Sequence, residues 1–393
     1  MLPYLIFYIV LFILAFLYKS DEKFLIIYFI VFSIFYSFAI NIGPDWHNYK
    51  IYFDHLANVN HIWEIPSLLP DKESRFEWGF HFLSFLMTRG GYNYHFIIAV
   101  LNTISFIVYK KVFDYFFKGD SLILFTFFIM FYGNRLFVST LRQNLSICFF
   151  YLCIVQFSRN DKKWFLSLLM SYLFHSTGIL ALVVIMMQKF VTRKRFLCIS
   201  TILVATGVVG VQLGYLLPTV IITLFRSFIP TSIQRIINLL IYGQLRERDL
   251  LSLLQFVLMT FIVLVDKKSD EKDCSLRIAF FLIIFSYVMK FHFTNIPLLA
   301  ARLKYNFGIG YLVVVYKAII HFKEYKTLYL APVLYSFMLV TYSFHVVKED
   351  YVCYVPYENL LVNSIKKSKI EDCFSMDKFN ARLRAIGKAS VSM

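Results

Sequence analysis

The stretch LPYLIFYIVLFILAFLY at 2–18 contains no charged residue, and a second uncharged stretch, FLIIYFIVFSIFYSFAI, follows at 24–40. A helix needs about 20 apolar residues, with a range of about 17–25, to cross the hydrocarbon core of a bilayer. Further runs that qualify, or nearly qualify, lie at 93–109, 121–133, 137–157, 196–217, 251–265, 276–290, 304–321 and 327–345. The sequence therefore predicts an all-α, polytopic transmembrane helix bundle of about 10–12 spans.

The composition supports a membrane environment. Of the 393 residues 59% are apolar and 16% are charged, whereas a soluble domain carries about 25% charged residues. The net charge of +16 would suggest a nucleic-acid partner in a soluble protein, but here the basic residues lie in short loops between apolar runs, which is the pattern that sets orientation in a bilayer. We therefore expect membrane lipid, and no nucleic acid, as a partner.

The basic loops also predict the topology. They are the loops around Lys19, Lys110, Arg159, Lys194, Lys267 and Lys323, and the positive-inside rule places them in the cytoplasm. They share one side only if the short run 79–88 is a re-entrant or interfacial helix and the run 164–187 is broken at His175 and returns to the same face. This arrangement puts the N-terminus outside, and the first apolar run lacks the basic region and cleavage site of a removed signal peptide.

The predicted domain organisation is one membrane domain, 1–345, followed by a polar, basic tail, 346–393. The membrane domain has longer outer loops at 41–78, 218–249 and 291–303. The loop 218–249 carries an amphipathic helix at 231–242, because Gln234, Arg235 and Asn238 share one face and Ile and Leu residues share the other. This helix is predicted to lie in the membrane interface.

Arginines close to the apolar runs are candidate binding residues, because a charge at the centre of a span costs about 2.5–3.5 kcal/mol and usually serves a function. Arg135 and Arg142 are seven residues apart, so they are predicted to lie on one helical face about 10 Å apart along the axis, where two guanidinium groups could grip a diphosphate. Snorkelling to lipid headgroups is the structural alternative, which fits Arg135 well. Arg302, where an outer loop returns to the membrane, is either a third phosphate contact or an ordinary interface arginine.

Three residues are candidates for acid–base chemistry: His175, Asp45 and Glu77. His175 could act as a general base, a proton relay or a donor to an anion, or its ring could simply be satisfied by a backbone carbonyl. Asp45 lies in a segment whose composition alone favours an exposed loop with a turn over a functional role. For Glu77, capping of the first helical turn of 79–88 competes with a catalytic role.

Sugar binding calls for aromatic faces beside hydrogen-bonding groups, because the C–H faces of a sugar ring stack and its hydroxyls hydrogen-bond. Tyr49 and His47, which follow Asp45, and Gln143, which follows Arg142, are the candidate sugar ligands. No CxxC pair, Walker A, HExxH or GxSxG motif occurs. The sequence thus predicts no metal site and no cofactor, and it argues against ATP-driven transport and metal-dependent hydrolysis.

Short motifs in a fixed order resemble those of the EpsG-like, Wzy-type polysaccharide polymerases. They are Gly43-Pro-Asp45-x-x-Asn48-Tyr49, Glu77-x-Gly79-Phe80, Leu141-Arg142-Gln143 and Phe174-His175-Ser176, followed by Arg302 and Tyr354-x-Pro356-Tyr357. The chain departs from this pattern at Trp78, where the family commonly has proline, and at Pro44, inside the first motif. Neither departure removes a charged group.

The resemblance implies a fold related to multi-span, lipid-linked glycosyltransferases and a location in the bacterial cytoplasmic membrane. It implies a polymerase that joins undecaprenyl-diphosphate-linked oligosaccharide repeat units into O-antigen, capsular or exopolysaccharide chains, without metal or nucleotide. A chain-length regulator and a flippase are the expected partners. In such an enzyme Arg142 and Arg302, assisted by Arg135, would hold the diphosphate, and one of the three acid–base candidates would accept the proton.

Two other functions fit the same residues. A flippase or transporter of the lipid-linked oligosaccharide would use arginines to line a path and would transfer nothing. A membrane-bound acyltransferase would use His175 and an acyl donor from the cytoplasm. A non-catalytic assembly scaffold is a third, less favoured alternative.

Overall fold

The computed structural model describes residues 2–19, 21–40, 45–65, 76–190, 202, 274–292, 305–321 and 358–359. The α-helices within these ranges are α1 Leu2–Tyr18, α2 Lys23–Ser37, α3 Trp46–Leu56, α4 Trp78–Arg89, α5 Tyr94–Phe116, α6 Ser121–Phe128, α7 Leu141–Ser158, α8 Trp164–Phe174, α9 Leu180–Phe190, α10 Cys274–His292 and α11 Ile309–His321. Short 3-10 helices occupy Ile62–Glu64 and Ser176–Ile179, and π-helical turns occupy Ile129–Gly133 and Arg135–Ser139. The predicted all-α fold is confirmed.

The strands in the described ranges are two residues long. β1, Ala39–Ile40, pairs antiparallel with β2, Glu358–Asn359. The chain divides into two compact units, Met1–Ala181 with Leu339–Met393, and Leu182–Met338. In the second unit α10 packs against α11, where the Tyr311 hydroxyl donates a hydrogen bond to Ser286 Oγ at 2.9 Å.

Aromatic side chains fill the core of the first unit. Phe7 of α1 stacks on Phe35 of α2 at 3.8 Å between ring centroids, and Phe32 packs against Phe106 of α5 at 5.4 Å. Tyr28 is fully buried in this core. Large rings at helical spacing bury much apolar surface and fix the helices against one another.

The basic loops of the first unit meet at one end of the helices, which we call the basic end. Lys19, after α1, forms an ion pair with Asp120, before α6. The Lys110 ammonium lies 5.2 Å from the ring centroid of Tyr18, and the Arg159 guanidinium lies 4.8 Å from that of a tyrosine in α5. These three loops therefore lie on one side of the bundle, as the topology prediction requires.

The segment between α2 and α5 starts and finishes at the opposite end of the bundle, as the directions of its two flanking helices show. α2 runs away from the basic end and α5 runs back to it, so the residues between them begin and end on the far side. α4, which lies within this segment, has 12 residues and is about 18 Å long, too short for a hydrocarbon core of about 30 Å. The run 79–88 is a short helix that does not cross, as predicted.

α5 is the one helix in the described ranges that is by itself long and apolar enough to cross a membrane; it has 23 residues. Shorter apolar helices cover Pro3–Tyr18, Lys23–Ser37, Ser121–Gly133, Trp164–Phe174, Ser176–Gln188 and Arg277–Ser286. α5 extends beyond the predicted 93–109 because Lys110 and Asp114, one turn apart, form an ion pair at 2.6 Å on its surface.

Several sequence predictions concern other parts of the chain. The runs 196–217, 251–265 and 327–345, the amphipathic helix 231–242, the loops 218–249 and 291–303, and the tail 346–393 lie outside the described residues, apart from positions 202, 291–292 and 358–359. The division into a membrane domain, 1–345, and a tail stays a prediction.

Candidate functional site

Three side chains distant in sequence meet at the end of the bundle opposite the basic end. Glu77 directly precedes α4, Arg142 is the second residue of α7, and His175 follows α8. Glu77 Oε2 forms an ion pair with Arg142 Nη1, and Glu77 Oε1 lies 3.9 Å from His175 Nε2. We call these three residues the Glu77 cluster. It unites one residue from each of three motifs identified in the sequence.

Arg142 is enclosed on several sides. Its guanidinium carbon lies 4.3 Å from the ring centroid of Phe76 and 5.9 Å from that of Tyr49, distances at which an aromatic face attracts a cation. The Tyr49 phenol also interacts electrostatically with the guanidinium. Arg142 Nε is buried and has no hydrogen-bond partner among the described residues. The cation is thus held in place with one donor unused.

The position of Glu77 differs from the capping role considered for it. Glu77 has the extended backbone of an N-cap residue, with φ −76° and ψ 153°, but its side chain makes no capping hydrogen bond. The full charge of Arg142 attracts the carboxylate more strongly than the partial charge of a helix end. Trp78 takes the first helical position, where proline is also favoured, so this departure from the family pattern preserves the start of α4.

His175 lies in the predicted break of the run 164–187. Its backbone is extended, with φ −163° and ψ 135°, between α8 and the following 3-10 helix. The backbone N–H of Thr177 donates to His175 Nδ1 at 3.2 Å, and Thr177 Oγ1 lies 2.9 Å from the same atom. Since Nδ1 accepts, the proton of the neutral ring resides on Nε2, the nitrogen nearest Glu77. Ser146 Oγ of α7 donates to the His175 carbonyl at 3.3 Å.

Two glycines allow this close assembly. A Cβ on Gly79 of α4 would lie 2.7 Å from the backbone oxygen of Leu173 in α8. A Cβ on Gly178 would lie 2.5 Å from the backbone carbon of Ser171. Because glycine has no side chain, α4 and the 3-10 helix after His175 can both lie directly against the backbone of α8. Neither position has room for a larger residue.

A second pair of polar residues, Tyr52 and His81, lies beside Phe76, the ring that contacts Arg142. The Tyr52 hydroxyl is hydrogen-bonded to His81 Nδ1. Burial lowers the pKa of His81 below its usual value, and the nearby backbone of Phe76 opposes that shift. The Tyr52 ring packs edge-on against Phe76 at 4.5 Å. Sequence reasoning missed His81 and Phe76, although His81 lies one helical turn after Glu77.

The remaining predicted residues have varied positions. Asp45 directly precedes α3 and is half-buried. Burial raises the pKa of Tyr49; the positive charge of Arg142 opposes this rise, and the negative charge of Asp45 adds to it. Tyr49 is 4% exposed and Gln143 is 3% exposed. His47 is part of α3, but its side chain is not among those described, and Arg302 lies outside the described residues.

The predicted geometry of Arg135 relative to Arg142 is wrong. Arg135 begins a π-helical turn that ends at Ser139, and Thr140 has a non-helical backbone with φ −111° and ψ 54°. The Thr140 N–H and hydroxyl both donate to the Arg135 carbonyl, at 2.8 and 3.1 Å. Because this closed turn interrupts the helix, α7 begins at Leu141, and a seven-residue spacing no longer places both arginines on one face.

The described residues contain no group of three or more His, Cys, Asp or Glu side chains that could hold a metal ion, and the absence of a cofactor stays a prediction. The functional groups of the site are the Arg142 guanidinium, the Glu77 carboxylate and the His175 imidazole N–H. Such a set can bind an anion and transfer a proton.

The fold and the site define an all-α membrane protein with a buried Arg–Glu–His cluster at one end of its helices. Residues 22–359 match the model of the EpsG family, and the chain belongs to that family. The resemblance found in the sequence is thereby confirmed. Membership makes the chain a polysaccharide-polymerase-like membrane protein of polysaccharide biosynthesis. No curated protein and no solved structure matches the chain.

Proposed function

We propose that the chain is a multi-pass, metal-independent glycosyltransferase of the bacterial cytoplasmic membrane. It joins undecaprenyl-diphosphate-linked oligosaccharide repeat units into O-antigen, capsular or exopolysaccharide chains at the outer face. The observation that carries this proposal is the Glu77 cluster, in which an enclosed guanidinium with an unused Nε–H lies beside a carboxylate and an imidazole. Family membership supplies the class of substrate.

Arg142 is proposed to bind the diphosphate of the donor. When the glycosidic bond to the lipid breaks, negative charge develops on the leaving phosphate, and a fixed cation stabilises that charge more than it stabilises the bound donor. A guanidinium suits this task because it offers several N–H groups in a plane and keeps its charge at any pH. Arg302 and Arg135 remain proposed as further phosphate contacts.

The transfer is a direct displacement. A hydroxyl oxygen of the incoming repeat unit bonds to the anomeric carbon of the growing chain, the bond from that carbon to the phosphate oxygen breaks, and the electron pair leaves with undecaprenyl diphosphate. The hydroxyl proton passes to a protein base. His175, Asp45 and Glu77 are the three proposed bases.

The proposed sugar ligands are His47, Gln143 and Tyr49. The Tyr49 ring packs against Phe76 at 5.5 Å and faces Arg142. Its principal contribution is therefore to hold the guanidinium, and any sugar contact would come from the edge of the ring that borders the site.

The deciding experiment supplies purified lipid-linked repeat units on the outer side of vesicles that contain the full-length chain. We expect a ladder of polymer on a gel. A flippase would yield no polymer from a substrate already outside, and an acyltransferase would instead transfer a radiolabelled acetyl group. Arg142→Ala should abolish the ladder, while Arg89→Ala, at the exposed end of α4, should leave it unchanged. Full-length polymer from Arg142→Ala would refute the diphosphate assignment.

The proposed sidedness has its own test. Asn48, exposed at the start of α3, and Lys162, exposed in a basic loop, mark opposite ends of the first unit. A membrane-impermeant maleimide applied to intact cells should label Asn48→Cys and spare Lys162→Cys, with the unmodified chain as background control. The reverse pattern would place the Glu77 cluster in the cytoplasm and contradict transfer at the outer face.

A further inference from the structure

The ion pair between Glu77 and Arg142 creates a competition that the proposed function must resolve. In the structure the Arg142 guanidinium is paired with the Glu77 carboxylate, and in the proposed reaction it must hold phosphate. Two anions cannot share one cation without strong mutual repulsion at short range. Binding of the donor must therefore weaken the contact between Glu77 and Arg142.

We propose that Glu77 is the catalytic base and that the donor diphosphate activates it by taking over Arg142. This inference rests on the proposed function. While Glu77 is paired with the guanidinium, its Oε2 is occupied by Arg142 and is not available to an acceptor hydroxyl. Once phosphate has replaced it on Arg142, that oxygen is released beside a negative neighbour, which favours the protonated carboxyl. Glu77 is therefore free to accept a proton at the moment the donor is in place.

The structure argues against His175 as the base. Its Nδ1 accepts from the Thr177 backbone N–H, so the nitrogen that faces the site carries a proton and can only donate. Nε2 lies 3.9 Å from Glu77 Oε1, a distance that a small shift would shorten to a hydrogen bond. We assign His175 the role of a positioning residue that holds Glu77 after Arg142 has turned to the phosphates.

Among the charged and titratable groups around Arg142, Glu77 is the one that donor binding would change directly. Arg142 faces it from α7, His175 from the end of α8, and His81 from its own helix. Tyr49 reaches the guanidinium from α3. Of the two carboxylates proposed as bases, Glu77 is the one whose ion pair with Arg142 the donor would displace.

The proton-transfer step balances. The O–H bond of the acceptor breaks and its proton passes to a carboxylate oxygen of Glu77. The acceptor oxygen forms its bond to the anomeric carbon, and the bond from that carbon to the phosphate breaks with both electrons on the departing diphosphate. Release of undecaprenyl diphosphate returns Arg142 to Glu77, which expels the proton and resets the site.

Inorganic pyrophosphate tests the exchange without requiring turnover. Calorimetric titration of the purified full-length chain, in two buffers of different ionisation enthalpy at the same pH, gives affinity and proton uptake together. We expect pyrophosphate binding by the wild type to take up protons. Glu77→Gln should remove that uptake and bind pyrophosphate about tenfold more tightly, because its internal competitor is gone. Asp54→Asn, whose exposed carboxylate pairs with Lys50 on α3, is the matched control and should retain both wild-type values.

Several results would overturn the inference. They are wild-type protein that does not bind pyrophosphate, Glu77→Gln protein that binds it equally or more weakly, or proton uptake that persists in Glu77→Gln. A thermal melt with and without pyrophosphate shows that each variant is folded. Polymer assays then separate the two proposals. If Glu77→Gln polymerises at the wild-type rate, the base assignment fails and the proposed function stands. If wild type shows the exchange but makes no polymer, the proposed function fails instead.

Discussion

α7 carries two polar clusters whose centres are two residues apart. Asn144 is 1% exposed; its Oδ1 accepts from the Tyr109 hydroxyl at 3.0 Å and its Nδ2 donates to Ser105 Oγ at 3.2 Å. Arg142, by contrast, carries a charge, pairs with Glu77 from another helix, and keeps a buried Nε–H unused. Residues two apart on a helix point in nearly opposite directions, so one face of α7 holds the bundle together and the other presents the site.

The contrast shows that polar groups in a helical membrane protein can have two roles: some hold the helices together, and others form the candidate site. The neutral cluster around Asn144 satisfies its donors and acceptors internally, which is how polar side chains join neighbouring helices in a bilayer. The Glu77 cluster pairs its charges in a contact that, under the proposed mechanism, the phosphates of the donor replace. Removal of the first should cost stability, and removal of the second should cost activity.

Among the substitutions that compare the two clusters, Arg142→Lys has the largest expected effect, exceeded only by the complete loss expected for Arg142→Ala. Lysine keeps the positive charge but replaces the planar set of N–H groups with a single ammonium, so phosphate loses its paired contacts. We expect the polymerisation rate to fall about 100-fold, as for loss of one donor to a developing anion. Thermal unfolding should stay close to that of the wild type. A variant that unfolds early yet polymerises normally when folded would reverse the division between the two faces of α7.

Asn144→Leu should show the opposite pattern. Leucine has a similar volume but leaves the hydroxyls of Tyr109 and Ser105 without their partner, which costs about 2 kcal/mol of unfolding free energy. The polymerisation rate per folded molecule should remain at the wild-type level. Unfolding in a denaturing detergent titration gives the first quantity and a vesicle assay gives the second. Ser105→Ala, which removes one bond of the same cluster, should have about half the effect on stability.

Gly178→Ala should lower both stability and activity. Gly178 packs against Ser171 of α8, which hydrogen-bonds α7, and it lies three residues after His175 of the Glu77 cluster. The added methyl would lie about 2.5 Å from the backbone of Ser171, and relief of such a clash typically costs about 1–2 kcal/mol. The shift would also move His175, three residues earlier, away from Glu77. We expect a modest loss of stability together with a several-fold loss of polymerisation. Gly119→Ala, at a loop position with no neighbouring atom within 4 Å but with φ +81°, should cost stability alone.

The sequence predicted the helices better than the site. Apolar runs of sufficient length located α1, α2 and α5, since the bilayer imposes a length that hydropathy records. The polar residues at His175 correctly predicted the break before α9. Hydropathy could not predict the π-helical turn at Arg135, because a change from one backbone hydrogen-bond pattern to another leaves composition unaltered.

The site illustrates the same limit. Arg142, Glu77 and His175 were recognisable as polar residues near apolar runs, and their motifs gave them a family context. Their contact is tertiary: Glu77 and Arg142 are separated by 65 positions, and they meet because α4 packs against α8, which in turn packs against α7. The tautomer of His175 depends on a backbone N–H of Thr177, which no side-chain pattern reveals.

The smallest effect is expected in the core, at Tyr28→Phe. The Tyr28 hydroxyl hydrogen-bonds Thr126 Oγ1 at 2.9 Å, and Thr126 Oγ1 also donates to the Leu122 carbonyl at 2.8 Å. Because Thr126 keeps that second bond, loss of the phenol should cost about 0.6 kcal/mol, the average for such bonds between membrane helices. A double-mutant cycle with Thr126→Val measures the coupling directly. A coupling above about 2 kcal/mol would mean that neutral core bonds hold the bundle far more strongly than the Asn144 cluster implies, and polymerisation should be unchanged in either case.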